Sequence, residues 1–349
     1  MSHKTDCNLS HSEEFSAGII EWLRGKGSIL IVTHDHPDPD ALAAAFALQH
    51  LVLVKTGQEA TIAFGGVIGR RENLVMVSEL EIKSKPIRDL DLDTFNAICM
   101  VDTQPGTGNN SYPSDRRVDL VIDHHQLKEQ TQSCRWVDVR PEYGASASIL
   151  FEYLQSQEIK IATKLATILF YAIKSETEDL GRDWSKSDRD AYLQLMPLCN
   201  NRILHEITRP KSSRIYFKYF EAGLKNAKIY GNVLIFNLYD IDQPEIVAEI
   251  ADFLMRVEGV DIVLGMGCYL NEGVLSMRTS HQETHAGGLM QKVILELGSG
   301  GGHSMTAGGQ VRSLLTASGR QSEMEDVLTG RLLAALGREY SEPELLVTG

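Results

Sequence analysis

The fold of this chain is constrained most strongly by short apolar runs that alternate with helical patterns. Four runs rich in Ile, Val and Leu occur in its first half, SILIVTH, ATIAF, NAICMVD and VDLVID. Between or after them lie segments with helical spacing of apolar residues, such as DALAAAFALQHLVLVKTG. Apolar strands separated by helices are typical of a parallel sheet that is covered on both faces. We therefore predict an α/β fold, a parallel sheet with helices on both faces.

Length and a change of pattern near the middle predict two domains. The chain has 349 residues, 43% of them hydrophobic, which is enough for a core in each of two domains. A charged, proline-interrupted segment, EITRPKSSRIYFKYFEAGLKNAK, separates two groups of strands and helices. We expect a first domain over 1–205, a connector over 206–225 and a smaller α/β domain over 226–349.

Composition and charge argue against several classes of function. The formal net charge of −13 disfavours binding of long nucleic acid, because that binding needs many Lys and Arg contacts to phosphates. The five cysteines are scattered and lack CxxC spacing, which predicts neither a disulfide framework nor a thiolate zinc site. The amino terminus lacks an apolar signal segment, and no stretch approaches the roughly 20 apolar residues that cross a bilayer. We expect a cytoplasmic protein without membrane contact.

Carboxylates and imidazoles follow three of the predicted strands. They are His34, Asp38, Asp40, Asp102, Asp123, His124 and His125. Because the carboxyl ends of parallel strands meet at one edge of a sheet, we expect these side chains to lie close together. A helix N-cap would account for Asp40 alone, but crowded carboxylates repel one another unless a cation compensates them. We infer a divalent metal site with two ions.

The ligand types narrow the choice of metal and of reaction. Carboxylates with a minority of imidazoles and no thiolate favour manganese, with magnesium as the other candidate, over copper or structural zinc. Two ions about 3.5–4 Å apart can activate water and neutralise a phosphoryl oxygen. The pattern therefore predicts phosphoester hydrolysis.

Four segments follow one another along the chain: HDHPDPDA, the strand that ends in Asp102, VIDHHQ and GGGHSMTAGG. Together they resemble the DHH phosphoesterase family with its DHHA1 substrate-binding domain. This family includes RecJ-type exonucleases, oligoribonucleases that also act on adenosine 3′,5′-bisphosphate, cyclic di-AMP phosphodiesterases and exopolyphosphatases. The resemblance implies a DHH catalytic domain over 1–205 and a DHHA1-like domain over 226–349.

The resemblance also implies a ligand set in which two manganese ions share Asp102. The first ion would be held by His34, Asp38 and Asp102. The second would be held by Asp40, Asp102 and His124.

The same resemblance implies catalytic roles for Asp123, which would orient the site, and for His125, which would face the scissile phosphate. The chain departs from the family's pattern at two places. Pro39 stands where the family usually has glycine, and this fixes φ near −65°. In SETEDLGR, Glu176 stands where the family supplies an aspartate to the second ion. We expect Glu176 to be a metal ligand, and Asp179 stays open as the alternative.

A glycine-rich segment and an arginine predict phosphate contacts in the second domain. We interpret GSGGGHSMTAGG as a loop in which the amides of Gly300, Gly301 and Gly302 approach a phosphate, with His303 as a further donor. Arg278, in LSMRTS, resembles the family's phosphate-gripping arginine. A P-loop is disfavoured because the chain contains no GxxxxGK[ST].

We expect a manganese-dependent enzyme that hydrolyses short nucleotidic phosphoesters. The substrates considered are oligoribonucleotides, a nucleoside bisphosphate and cyclic or linear dinucleotides. Two alternatives stay open, a catalytically weakened nucleotide-binding regulatory protein on the same fold and an exopolyphosphatase. The expected partner is a short nucleotide or oligonucleotide, and homodimer formation stays open.

Overall fold

The computed structural model describes residues 3–302, 305–311, 318–339 and 342–347. The chain divides into two compact units, Met1–Pro210 and Lys211–Gly349. The segment 206–225, expected as a connector, contains the end of one helix and the whole of the helix Arg214–Lys225. None of the described helices is both long and apolar enough to span a bilayer.

A six-stranded parallel sheet forms the centre of the first unit. Its strands are β1 (Ile29–Val32), β2 (Ala60–Phe64), β3 (Ser84–Pro86), β4 (Ala97–Val101), β5 (Leu120–Asp123) and β6 (Trp136–Val139). Its helices are α1 (His3–Leu23), α2 (Pro39–Thr56), α3 (Arg71–Glu79), α4 (Ser146–Ser156), α5 (Thr163–Glu176), α6 (Lys186–Leu195) and α7 (Asn201–Thr208). Short 3₁₀ turns occur at Ile87–Asp89, Leu92–Thr94, Glu129–Ser133 and Met196–Leu198. The strand order is β3-β2-β1-β4-β5-β6.

The central strands are apolar because both of their faces are covered. All four residues of β1 are buried. Ile31 packs among helix residues that include Leu48, whereas Val32 packs on the opposite face with Tyr112 and Val118 of the connection between β4 and β5. The expected α/β class, a parallel sheet flanked by helices with a second sheet domain, is confirmed.

The second unit contains a seven-stranded, mostly antiparallel sheet. Its strands are β7 (Lys228–Tyr230), β8 (Val233–Asp240), β9 (Ile262–Tyr269), β10 (Glu272–Thr279), β11 (Gly298–Gly302), β12 (Thr306–Val311) and β13 (Glu344–Leu345). Its helices are α8 (Arg214–Lys225), α9 (Glu245–Leu254), α10 (Ala286–Val293) and α11 (Ser318–Ala335), with a 3₁₀ turn at Gln282–Thr284. The strand order is β11-β12-β10-β9-β8-β7-β13, and only the β8–β9 pair is parallel among these described strands.

The glycine-rich segment differs from the loop expected from the sequence. Gly300, Gly301 and Gly302 belong to β11, which pairs with β12. A Cβ atom at Gly300 would lie 2.6 Å from the Gly308 carbonyl oxygen, so the strand approaches its neighbour too closely for a side chain there. Close packing therefore accounts for part of the glycine content, and His303 lies outside the described residues.

Candidate metal centre

The candidate site lies where the strand order of the first unit reverses direction. The chain passes from β1 outward to β2 and β3, and from β4 outward to β5 and β6 on the other side. Ligands of open parallel sheets bind beyond the carboxyl ends of the strands at such a switch point. His34 follows β1, Asp102 follows β4 and Asp123 ends β5, so all three lie at this edge.

The loop after β1 places two carboxylates through helix termini. Asp38 is the N-cap of α2, because its Oδ1 accepts a hydrogen bond from Ala41 N at 2.9 Å and Pro39 occupies the first helical position. The cap is therefore Asp38, and not Asp40 as the sequence indicates. Asp40 is 1% exposed and accepts hydrogen bonds from the amides of Ser146 and Ala147, at 2.7 and 2.8 Å. The amino terminus of α4 thus holds Asp40.

Asp102 occupies the middle of the cluster. Its φ of +56° lies in the left-handed region, which is uncommon for a residue with a side chain and is often found at functional sites. Its Oδ2 lies 3.4 Å from His34 Nε2, and its Oδ1 lies 3.4 Å from His124 Nε2. The Ser146 hydroxyl donates to the same Oδ1 at 3.1 Å. The two oxygens of Asp102 thus face two different imidazoles.

The two imidazoles are oriented by main-chain carbonyls. His34 Nδ1 lies 2.8 Å from the carbonyl oxygen of Asp35, and His124 Nδ1 lies 3.2 Å from that of Tyr143. Since a carbonyl oxygen only accepts, each Nδ1 carries hydrogen and each Nε2 is the atom turned towards Asp102. A neutral Nε2 lone pair opposite a carboxylate needs a cation between them, which is how histidine ligands are arranged in metal sites. The donor set fits a divalent metal ion.

The pKa shifts within the cluster indicate the same need for positive charge. Burial lowers the pKa of His34, but hydrogen bonds to Asp102 and Asp38 outweigh it and raise this pKa well above its usual value. Burial also opposes protonation of His124, yet Asp102 and Asp40 raise its pKa to about 9. The pKa of Asp40 is raised by burial and by the charge of Asp102. Protons compensate the carboxylates where a metal ion would otherwise do so.

Asp123 and His125 form a hydrogen-bonded pair at the edge of the cluster, where His125 Nδ1 also lies 3.7 Å from Asp102 Oδ1. Asp123 Oδ1 accepts from His125 Nδ1 and from the His124 amide, both at 2.8 Å, and Oδ2 accepts from Gln104 Nε2 at 2.7 Å. Burial raises the pKa of Asp123, but the bond to His125 outweighs it and lowers this pKa. Asp123 is therefore a buried anion whose contacts hold the His125 ring.

Glu176 and Asp179 lie in different surroundings. Glu176 ends α5 and is half-buried, and burial together with the negative charges of Asp38 and Asp102 raises its pKa to about 7. Asp179 is exposed and accepts hydrogen bonds from Lys174 Nζ and from the Tyr192 hydroxyl, the latter at 2.9 Å. The carboxylate that interacts with the cluster is that of Glu176.

Among the described residues, two groups have ligand atoms that all lie within 4.8 Å of one another. One contains His34, Asp38 and Asp102, and the other contains Asp102, His124 and His125. The two groups share Asp102. Asp40 and Glu176 lie outside both groups.

Comparison with known proteins decides the family. Residues 28–173 match the DHH family, N-terminal domain. The first unit belongs to the DHH family. An uncharacterized protein of Methanocaldococcus jannaschii is 32% identical over 324 residues, which cover 91% of this chain and 66% of that protein. A probable manganese-dependent inorganic pyrophosphatase of Staphylococcus haemolyticus is 27% identical over 148 residues, or 42% of this chain and 47% of the relative.

Two solved structures have a similar fold to this chain. The crystal structure of an exopolyphosphatase-related protein from Bacteroides fragilis has a TM-score of 0.72 at 15% identity and covers 95% of this chain and 98% of its own. RecJ from Thermus thermophilus in complex with Mn²⁺ has a TM-score of 0.51 at 14% identity, over 95% of this chain and 55% of its own. At these identities the likeness concerns the fold.

Arg278, which the sequence predicts to contact phosphate, has hydrogen-bond partners within its own unit. Arg278 is 12% exposed on β10, and its Nε donates to Asp252 of α9. One terminal nitrogen donates to the Ser276 hydroxyl at 2.8 Å and to the Met277 carbonyl at 2.9 Å. These contacts fix the guanidinium on the sheet, and nothing in the sequence indicates them.

Two side chains of the DHH domain were not predicted from the sequence. Ser146 bonds to Asp102, and Gln104 bonds to Asp123. Gln104 offered one signal, since it lies two residues beyond the metal-ligand candidate at the end of β4. Ser146 lies far along the chain from Asp102, and no local pattern connects them.

Proposed function

We propose that this chain is a metal-dependent phosphoesterase whose site lies at the carboxyl ends of β1, β4 and β5. The observation that carries the proposal is the position of Asp102, whose two oxygens each lie 3.4 Å from the Nε2 atom of a different histidine. A carboxylate between two imidazoles whose Nδ1 atoms are bonded to carbonyls suits two ions that share one ligand. The DHH match over 28–173 supports the same assignment.

Eight protein side chains take roles in this proposal. The residues that would hold two divalent ions, Mn²⁺ or Mg²⁺, are His34, Asp38, Asp40, Asp102, His124 and Glu176. Bound ions would supply Lewis acidity towards water and towards a phosphoryl group. His125, oriented through its Nδ1 by Asp123, would exchange a proton with the substrate at Nε2.

The proposed substrates are short nucleotidic phosphoesters, which are oligoribonucleotides, nucleoside bisphosphates and cyclic or linear dinucleotides. The net charge of −13 supports short substrates over long nucleic acid. Arg278, Gly300, Gly301, Gly302 and His303 are proposed to bind a phosphate of the substrate. A second candidate is an inorganic phosphoanhydride, because the relatives include a probable inorganic pyrophosphatase and an exopolyphosphatase-related protein.

A turnover panel with Mn²⁺ tests the proposal. The panel contains an oligoribonucleotide, adenosine 3′,5′-bisphosphate, cyclic di-AMP, polyphosphate and pyrophosphate. Asp102→Ala should lose bound Mn²⁺ in metal analysis and nearly all turnover, while the exposed Asp93→Ala should retain both. Full Mn²⁺ content in folded Asp102→Ala would contradict the bridging role. Nucleotide binding without turnover of any substrate would instead favour a regulatory protein.

A further inference from the structure

Gln104 is a buried amide whose hydrogen-bonding atoms are engaged. It is 0% exposed and lies in the connection that follows β4. Its Nε2 donates to Asp123 Oδ2 at 2.7 Å and to the Gln126 carbonyl at 3.1 Å. Its Oε1 accepts from the Lys128 amide and from the Thr131 hydroxyl, both at 2.9 Å.

These partners determine which way the amide points. The Lys128 main-chain N–H can only donate, so the atom facing it is the oxygen of Gln104. The nitrogen is therefore the atom that faces the carboxylate of Asp123. Each of the two amide hydrogens and each of the two oxygen lone pairs has one partner.

Asp123 transmits this fixed position to His125. Its Oδ2 is held by Gln104, and its Oδ1 accepts from His125 Nδ1 at 2.8 Å. A carboxylate held at both oxygens has no freedom to rotate. The orientation of the His125 ring thus depends on side chains, whereas His34 and His124 are oriented by main-chain carbonyls.

We propose that Gln104 is a positioning residue for the reaction. By holding Asp123 it keeps hydrogen on His125 Nδ1 and keeps the ring in one orientation, so that Nε2 faces the substrate. This inference rests on the proposed function. Loss of a residue that orients a site side chain through a hydrogen bond typically lowers activity about 10–100-fold.

Three variants separate this role from a structural one. Gln104→Met removes every hydrogen bond of the amide. Gln104→Glu keeps an acceptor for Lys128 and Thr131 but places an oxygen opposite Asp123. Thr131→Val is the matched control, because it removes a hydrogen bond to the same Oε1 and leaves the contact with Asp123 intact.

We expect both Gln104 variants to lower kcat about 10–100-fold with KM within about threefold of the wild type. Thr131→Val should lower the melting temperature yet retain kcat within about threefold, since it does not alter the Asp123 contact. An unchanged kcat in Gln104→Met would overturn the proposal. So would an equal loss of kcat in Thr131→Val.

A spectroscopic measurement tests the same proposal without turnover. In histidine-labelled, Mg²⁺-loaded protein, ¹H–¹⁵N spectra should show a protected Nδ1–H of His125 in the wild type and in Thr131→Val. Gln104→Met should shift that signal or lose it to exchange with water. An unshifted Nδ1–H in Gln104→Met refutes the positioning role even if no substrate of the panel is hydrolysed, in which case the proposed function fails separately.

Discussion

Replacement of Arg140 by Met should destabilise the first unit by about 3–5 kcal/mol. The Arg140 guanidinium is buried among partners from several elements. It donates to Asp138 of β6 at 2.6 Å, to Glu152 of α4 at 2.7 Å and to the Ser12 hydroxyl of α1 at 2.9 Å. The variant would leave two buried carboxylates without their counter-charge, which is the costly way to break a buried ion pair.

The expected loss corresponds to a fall in melting temperature of roughly 6–20 °C for a unit of this size. Tryptophan fluorescence during urea unfolding reports on the first unit alone, because all three tryptophans of the chain, Trp22, Trp136 and Trp184, belong to it. The free energy of unfolding is then obtained by linear extrapolation.

The loss should depend on pH in a defined direction. Burial raises the pKa of Asp138, but the bonds to Arg140 outweigh burial and lower it. Because the folded-state pKa of Asp138 is lowered, its ionisation stabilises the fold fully above the unfolded-state pKa of about 4. This stabilisation is lost as the pH falls from there through the folded-state pKa. In Arg140→Met, protonation of the carboxylates as the pH falls removes the free-energy cost of burying their negative charges. The gap between wild type and variant should therefore be largest near neutrality and narrow below about pH 4.

The matched control is Arg189→Met, because Arg189 is 42% exposed and pairs with Asp190 on the surface. We expect it to change the unfolding free energy by less than about 0.5 kcal/mol. A loss below about 1 kcal/mol in Arg140→Met at pH 7, or an equal loss at pH 7 and pH 3.5, would refute this reasoning.

Other predictions concern the metal and substrate sites. Glu176→Asp should weaken Mn²⁺ binding about tenfold or more, while Asp179→Ala should leave it unchanged in titration calorimetry; the reverse outcome would assign the ligand to Asp179. Arg278→Ala should retain wild-type Mn²⁺ content and raise KM about tenfold or more, because a hydrogen bond to a charged group contributes about 1.5–3 kcal/mol. An unchanged KM would exclude a contact between Arg278 and the substrate. Because the carboxylates raise the pKa of His124 to about 9, Mn²⁺ must displace a proton from this imidazole when it binds. The affinity for Mn²⁺ should therefore rise from pH 7 to pH 9, and an affinity that does not change with pH would contradict this.

The sequence predicted the parts of the fold whose signals are local. The runs that became β1, β2, β4 and β5 are apolar because both faces of each strand are covered, so composition alone revealed them. The candidate ligands followed from the same strands, since residues at neighbouring carboxyl ends must lie at one edge.

Other features depend on contacts between distant segments. Asp40 was interpreted as a cap of the following helix, yet it receives amides of Ser146 and Ala147, about a hundred positions along the chain. The strand Gly298–Gly302 lacks residues with β propensity, and it forms because α10 and β12 pack closely against it. The left-handed φ of Asp102 likewise has no pattern in the sequence.

The use of main-chain carbonyls to orient His34 and His124 has an evolutionary consequence. The accepting oxygens belong to Asp35 and Tyr143, and every amino acid at those positions would carry the same oxygen. The two imidazoles can therefore keep their tautomers while the side chains around them drift. The Nδ1 atom of His125 instead bonds to the carboxylate of Asp123, which only an acidic side chain at that position supplies. Sequence change in such proteins should thus be tolerated beside the first two histidines and penalised beside the third.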